Sequence, residues 1–119
     1  METKPLAIII EDDADQNLVF TKALDQAGYQ TESIEDGLTA QQRLGEIVPK
    51  TIVLDLHIPG VTGVNLLSQI RNDARFQDTY VILATADGAL ASSLHAQADL
   101  VLLKPISFSQ LSLLASRFI

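Results

Sequence analysis

Four short, almost wholly apolar runs are the most regular feature of the chain. They lie at residues 6–10, 52–54, 80–84 and 100–103. Runs that are apolar on both faces are typical of strands in a parallel sheet that is covered on both sides. A fifth segment, residues 30–34, is short and polar, and this composition favours an edge strand over a central one. The pattern therefore predicts five strands.

The segments between these runs carry the spacing of amphipathic helices. In the first segment Phe20, Ala23, Leu24 and Ala27 share one face, and Gly28 marks a natural helix end. The corresponding inward positions of three further helices are Ala40, Leu44 and Ile47; Gly63, Leu66, Leu67 and Ile70; and Phe108, Leu111, Ala115 and Phe118.

Start signals support two of these helices. Asp36 is a candidate N-cap for the second helix, and Pro49 lies beyond its end. Ser107 and Gln110 form a capping-box pattern at the start of the last helix. The segment from Gly88 to Ala96 is small and polar and carries the weakest helical pattern. Five helices are predicted in all.

Alternation of strands and helices predicts one α/β domain covering residues 1–119. Its five-stranded parallel sheet is connected by right-handed crossovers. We favour the strand order 2-1-3-4-5, because this order places the polar second strand at an edge. The prediction is a doubly wound, flavodoxin-like, three-layer α/β/α domain. In such sheets, functional sites form outside the carboxyl ends of the strands.

Composition restricts the classes of function. With 119 residues, 47% hydrophobic and 19% charged, the chain is typical of a globular domain. It has no secretion signal and no apolar run near the roughly 18 residues of a membrane span, so we expect no membrane association. The absence of cysteine excludes disulfides and thiolate sites and favours the cytoplasm. A net charge of -7 argues against direct binding to nucleic acid.

Side chains able to do chemistry follow four of the predicted strands. They are Glu11, Asp12, Asp55, Thr85 and Lys104. A carboxylate at the end of a buried strand is costly unless its charge is compensated. Clustered carboxylates raise each other's pKa unless a cation lies between them, and hard oxygen ligands select Mg²⁺. Asp55 is also a candidate nucleophile, because aspartate forms acyl phosphates.

The motifs around these residues resemble those of receiver domains of two-component response regulators, and are similar to chemotaxis-type single-domain receivers. The matching segments are residues 10–13, 54–60, 84–86 and 103–105. The resemblance covers essentially the whole chain, and four weak motifs in the right order are together specific. It implies a phosphorylation-dependent signalling switch. Such a domain is not a conventional enzyme, since it catalyses only its own phosphorylation and dephosphorylation with Mg²⁺.

The resemblance also implies the metal ligands. Asp12 matches the direct Mg²⁺ ligand of the acidic pair, and Glu11 matches the residue that acts mostly through water. Asp55 is a further ligand. His57 matches the position that contributes only its backbone carbonyl to the metal.

Three residues are implied to act on the phosphoryl group. Asp55 matches the aspartate that accepts it from the phosphohistidine of a histidine kinase or phosphotransfer protein. Thr85 matches the hydroxyl residue that moves toward the phosphoryl group, and Lys104 matches the lysine that pairs with it. The family also implies a cis peptide bond before Pro105.

The chain departs from the family pattern at several positions. Val101 stands where the family usually has the Tyr or Phe that rotates with the threonine, so the usual aromatic switch is missing. Gln97 and Ile106 stand where Gly and Phe are common. Asp87 and His57 occupy the two positions that modulate the lifetime of the acyl phosphate in this family.

Structural explanations compete with several of these assignments. An isolated Asp55 could cap a turn, and Thr85 could be an ordinary helix N-cap. Asp13, which is extra to the acidic pair, is expected only to cap the first helix. His57 is more often a loop residue than a ligand of a transition-metal site. Val101 could be plain strand packing.

Alternative functions are also open. The main one is a pseudo-receiver, a protein-interaction module with the same fold but no phosphorylation-driven output. A dehalogenase-like phosphatase would need a second aspartate at position 57, and a flavin-binding protein would need a phosphate loop after the first strand in place of its acids. We reject these two.

Partners are predicted only by region. In this family the surface of the fourth helix, fifth strand and fifth helix meets a dimer mate or an output partner. Here it contains small and apolar residues such as Ala89, Ala91 and Leu94.

Overall fold

The computed structural model describes residues 3–119. In this part of the chain, five strands and five helices alternate. They are β1 (Leu6–Ile10), α1 (Ala14–Ala27), β2 (Gln30–Ile34), α2 (Gly37–Leu44), β3 (Thr51–Leu54), α3 (Gly63–Arg71), β4 (Tyr80–Thr85), α4 (Gly88–Leu94), β5 (Leu100–Leu103) and α5 (Phe108–Ser116). Short 3₁₀ turns follow α3 and α4 at Ala74–Phe76 and His95–Gln97.

All five strands are parallel and run in the order β2-β1-β3-β4-β5. This confirms the predicted doubly wound, flavodoxin-like topology, with the polar β2 at an edge. Ile10 is the last residue of β1 in register, and it lies between Ile34 of β2 and Leu54 of β3. These three strands therefore end together, β4 and β5 run two residues further, and the residues that end or follow the strands share one edge of the sheet.

Two hydrophobic clusters, one on each face of the sheet, form the core. Because neighbouring strand residues point to opposite faces, β1 contributes to both. Ile8 and Ile10 pack with α2, α3 and α4. Ala7 and Ile9 pack with α1 and α5. The domain thus has the three layers that the apolar runs predict. None of the helices in the described residues is long and apolar enough to cross a bilayer.

Capping residues begin the helices where the sequence predicts. The carboxylate of Asp13 accepts a hydrogen bond from the N–H of Gln16 at 2.9 Å, as expected for the residue beside the acidic pair. Asp36 begins α2 and Ser107 begins α5 in the same way. Gly28 ends α1 with a φ of 112°, a left-handed conformation that favours glycine.

Three details differ from the predictions. Phe108 is 39% exposed instead of facing inward, because it begins α5 and Leu111, one turn later, is the first residue of that helix to be buried. Ala91 is fully buried, and so cannot belong to the predicted partner surface. Helix α2 ends before Ile47, which packs against the core from the following loop.

Candidate functional site

An ion-paired triad lies at the carboxyl edge of the sheet. The ammonium group of Lys104 donates a hydrogen bond to Oδ2 of Asp55 at 2.8 Å and another to Oε1 of Glu11. Glu11 is 1% exposed and Asp55 is 6% exposed. Buried charges are tolerated when they are paired and hydrogen-bonded, and this lysine serves both acids. The structure therefore brings together three residues that are distant in sequence.

The sheet positions the two acids through their backbones. The N–H of Asp55 donates to the carbonyl of Ile10 at 3.0 Å, and the N–H of Glu11 donates to the carbonyl of Ile34 at 3.0 Å. Each acid therefore continues the hydrogen-bonded ladder one residue beyond the end of its strand. This is the reason why their side chains converge.

Thr85 and Lys104 are joined in the same way. Thr85 is the last residue of β4 and is fully buried, and its carbonyl accepts from the N–H of Lys104 at 2.9 Å. Its hydroxyl accepts from the N–H of Asp87 at 3.2 Å. The N-cap of α4 is Asp87, which binds the N–H of Leu90 at 3.0 Å, so Thr85 is not the cap of that helix.

Three carboxylates at this edge could hold a metal ion. One oxygen each from Glu11, Asp12 and Asp55 lies within 4.8 Å of the others. Asp12 is exposed, whereas the other two are buried. Hard oxygen donors open to solvent on one side suit Mg²⁺, which keeps several of its waters when it binds protein. The donor set therefore fits the ion that the sequence suggests.

His57 lies next to this group but turns its ring away from it. The backbone N–H of His57 donates to Oδ1 of Asp55 at 3.1 Å, and its ring atom Nε2 lies 2.8 Å from Oδ2 of Asp87. Its ring is not part of the metal-binding group found among the described residues. The role of its backbone carbonyl stays a prediction.

Burial and pairing act in opposite directions on the charges of the triad. Burial raises the pKa of Glu11 to about 7, and the nearby charge of Asp55 also raises it, against the hydrogen bonds from Lys104 and the Asp13 N–H. Burial alone lowers the pKa of Lys104, but its hydrogen bonds to Asp55 and Glu11 outweigh this effect and raise it. The lysine is therefore charged at neutral pH, and the Glu11 carboxyl keeps its proton to a higher pH than an ordinary glutamate does.

The loop that carries Asp55 is held by close contacts with two glycines. A Cβ on Gly63 would lie 2.2 Å from the carbonyl oxygen of Asp55, and one on Gly37 would lie 1.6 Å from that of Val61. Gly37 also donates its N–H to the carbonyl of Pro59 at 2.8 Å. The first residues of α2 and α3 therefore fit directly against the loop.

Two further predictions concern the region around β5. The peptide bond between Lys104 and Pro105 is cis, as expected. Val101 is half-buried and lines a groove of about 390 Å³ between α4 and β5. The lining residues are Gly88, Ala91, Ser92, His95, Val101 and Leu103. Among residues 3–119, no phenylalanine or tyrosine lines this groove.

A larger cleft lies away from the acids. It has a volume of about 1090 Å³ and is lined in part by Lys50 and Asp99, which precede β3 and β5, and by Arg71, the last residue of α3. Arg71 is already paired with Asp99 at 2.8 Å. We therefore place the candidate site at the acidic edge and not in this cleft.

Sequence reasoning missed one buried polar residue beside the site. Asn17 is 3% exposed and donates hydrogen bonds to the carbonyls of Glu11 and Ile34. A signal was present, because Asn17 falls on the apolar face of α1, at helical spacing from Phe20 and Leu24.

Comparison with known proteins gives one family match and several related regulators. Residues 7–115 match the family described as the response regulator receiver domain. The chain is 30% identical, over 90% of its length, to the DNA-binding dual master transcriptional regulator RpaA of Synechocystis. It is 29% identical, over 87% of its length, to the phosphate regulon regulatory protein PhoB of Escherichia coli. The matches cover 46% and 47% of those relatives, so the chain spans about half their length.

A solved structure gives the same fold. The chemotaxis response regulator CheY4 of Vibrio cholerae superposes with a TM-score of 0.87 at 21% identity, covering 98% of this chain and 100% of that one. At this identity the likeness supports the fold alone. The family match, however, spans residues 7–115, which is nearly the whole chain. The chain therefore belongs to the response regulator receiver domain family, the signalling domains of two-component systems.

Proposed function

We propose that residues 1–119 form one receiver unit, a switch in which Asp55 accepts a phosphoryl group from the phosphohistidine of a histidine kinase or phosphotransfer protein. The observation that carries this proposal is the pairing of Asp55 with Lys104 at 2.8 Å beside two further acids. A buried carboxylate held by one cation at the mouth of an acidic cluster is suited to nucleophilic attack on phosphorus.

The metal would be held directly by carboxylate oxygens of Asp12 and Asp55 and mostly through water by Glu11, with the backbone carbonyl of His57 as a further ligand. Bound Mg²⁺ neutralises charge on the phosphoryl oxygens. Glu11 and Asp12 contribute the negative charge that attracts the ion, and their separation within 4.8 Å supports this assignment. Because Lys104 now pairs with both buried acids, we expect it to stay beside Asp55 as the ion enters.

In the transfer step, a carboxylate oxygen of Asp55 forms a bond to phosphorus while the bond from phosphorus to the donor imidazole nitrogen breaks. The electron pair leaves with that nitrogen. The ammonium of Lys104 and the hydroxyl of Thr85 would then donate hydrogen bonds to phosphoryl oxygens. Thr85 is already fixed at the end of β4 next to Lys104, which supports this role.

Acetyl phosphate tests the proposal directly. We expect one phosphoryl adduct by intact mass after incubation with acetyl phosphate and Mg²⁺, and none with EDTA. Asp55→Asn is the matched control, because it keeps the shape of the side chain and removes the nucleophile. No adduct on folded, Mg²⁺-saturated wild-type protein would sink the switch and favour the pseudo-receiver, which the missing ring at Val101 also suits.

We further propose that the surface of α4, β5 and α5 binds a second copy or an output partner. Leu103 and Leu113 are 55% and 61% exposed there. Residues 88–119 contain only three charged residues, Asp99, Lys104 and Arg117, although the whole chain carries -7. Contact through this part would keep most of the acids of two copies apart. Light scattering on wild type and Leu103→Glu, each with and without beryllofluoride, tests the dimer. A monomer mass in all four samples would exclude it.

A further inference from the structure

We propose that Asn17 is a positioning residue that orients the peptide between Glu11 and Asp12 and thereby sets the geometry of the acidic pair toward a divalent cation. The inference rests on the proposed function for the role of that cation. Asn17 lies in α1, and the family resemblance assigns it neither to the metal nor to the phosphoryl group.

The side chain of Asn17 is fully engaged although it is buried. Its Nδ2 donates to the carbonyl of Glu11 at 2.9 Å and to the carbonyl of Ile34 at 3.0 Å. Its Oδ1 accepts from the hydroxyl of Thr21 at 3.0 Å. A buried primary amide with both donors placed on main-chain carbonyls has one well-defined orientation.

The accepting carbonyl belongs to the peptide that links the two acids. A peptide group is planar, so fixing the carbonyl of Glu11 also fixes the N–H and Cα of Asp12. The N–H of Glu11 is bound in turn to the carbonyl of Ile34 at 3.0 Å. The pairing of β1 with β2 ends at Ile10. Asn17 supplies the hydrogen bond that the next pair of residues in the two strands would have made.

Asp12 depends on this support more than Glu11 does. The side chain of Glu11 is held by Lys104 and by the N–H of Asp13. Asp12 is exposed, and its carboxylate makes no hydrogen bond within residues 3–119. The backbone alone therefore sets the position from which this side chain projects. That backbone is held by Asn17 at the Glu11 carbonyl and by Ile34 at the Glu11 N–H. Residues that orient ligands in this way typically change metal affinity by about 10-fold to 100-fold when they are lost.

A purely structural role makes a different prediction. If Asn17 only satisfies two buried carbonyls, its loss lowers the free energy of unfolding but leaves the Mg²⁺ affinity of the folded protein unchanged. The metal affinity of folded variants therefore separates the two roles.

The experiment measures Mg²⁺ affinity by calorimetry on wild type, Asn17→Leu and Asn17→Ser, under conditions in which circular dichroism shows each protein to be folded. Both changes are neutral, so neither adds charge near the acids. We expect Mg²⁺ binding about 10-fold or more weaker in both variants. We also expect a shifted Asp12 amide resonance without metal, because that N–H lies in the affected peptide. If Asn17→Leu fails to fold, Asn17→Ser alone decides.

Two controls match these variants. Asn72→Leu makes the same change at the exposed asparagine that directly follows α3 and donates to the carbonyl of Ser68. Thr21→Val removes the partner of Oδ1 and leaves both carbonyl bonds intact. Wild-type affinity in a folded Asn17 variant would overturn this inference alone. A wild-type protein that binds no Mg²⁺ would overturn the metal site of the proposed function, and this inference with it.

Discussion

Nε2 of His57 lies 2.8 Å from Oδ2 of Asp87, so a side chain of the loop after β3 is tied to the residue that caps α4. The cap hydrogen bond from the Leu90 N–H and the contact with His57 hold the pKa of Asp87 below its usual range. Asp87 therefore stays charged at neutral pH and serves two partners. Its own N–H also reaches the hydroxyl of Thr85.

Removing this carboxylate is expected to loosen the start of α4. In Asp87→Ala the N–H of Leu90 loses its acceptor and His57 loses its partner, so we expect faster amide exchange over residues 88–91. Asp87→Asn keeps a good N-cap and should retain most of the protection. Hydrogen exchange with mass detection measures both variants. Unchanged exchange in Asp87→Ala would contradict a capping role.

Glu11 is expected to make stability depend on pH. The pKa of Glu11 is about 7 in the folded state and 4.5 in the unfolded state. Between these two pH values the folded state therefore holds an extra proton, which the unfolded state has lost. Stability must then fall as pH rises from about 5 to about 7, by up to about 3 kcal/mol if Glu11 acted alone. Urea unfolding with EDTA across this range measures the effect.

Glu11→Gln is the control for this pH dependence, because glutamine is neutral throughout the range. We expect its unfolding free energy to change less with pH than that of wild type. Parallel curves for the two proteins would show that Glu11 does not carry the extra proton in the folded state.

Gly63→Ala is expected to destabilise the domain and displace Asp55. The new Cβ would lie 2.2 Å from the carbonyl oxygen of Asp55 and 2.5 Å from the Cα of Leu56, and neither backbone atom can move without shifting the loop. We expect a loss of about 3 kcal/mol, at the upper end for overpacking. Slower phosphorylation by acetyl phosphate should accompany it.

Gly88→Ala is the matched control, since it also changes the first residue of a helix. Its Cβ would meet only the Leu103 side chain, at 3.6 Å, which is an ordinary contact. We expect stability at or slightly above wild type, because alanine is the better helix former. Equal stability of the two variants would show that the loop after β3 adapts freely.

Val101→Tyr tests what the missing ring changes. Val101 lines the groove between α4 and β5, so a ring there is expected to fill the groove and slow amide exchange in α4. Val101 packs against the hydrophobic cluster on the face of the sheet covered by α2, α3 and α4, away from the triad. The rate of phosphorylation should therefore stay the same. A variant with wild-type exchange in α4, with and without beryllofluoride, would show that the ring does not control this helix.

The architecture of the domain could be predicted because it depends on regular patterns. Continuous apolar runs predict buried parallel strands, and the polar segment 30–34 predicts the edge. Convergence of Glu11, Asp55 and Lys104 follows from the same argument, since parallel strands of similar length end at one edge. Periodicity was less reliable for the burial of individual residues. It predicts which face of a helix points inward but not at which residue that face leaves the core, and Phe108 is therefore exposed.

Contacts made by loops and by single side chains could not be predicted in this way. The pair of His57 and Asp87 joins residues 30 apart, and its geometry depends on the paths of two loops. Gly63 is required by the approach of the Asp55 carbonyl, which no sequence pattern describes. By itself, the sequence determined which residues meet at the edge of the sheet, because strand order and register follow from hydrophobic burial. Only the tertiary structure decided how they are held, because hydrogen bonds such as those of Asn17 require separate elements to be placed to within a few tenths of an ångström.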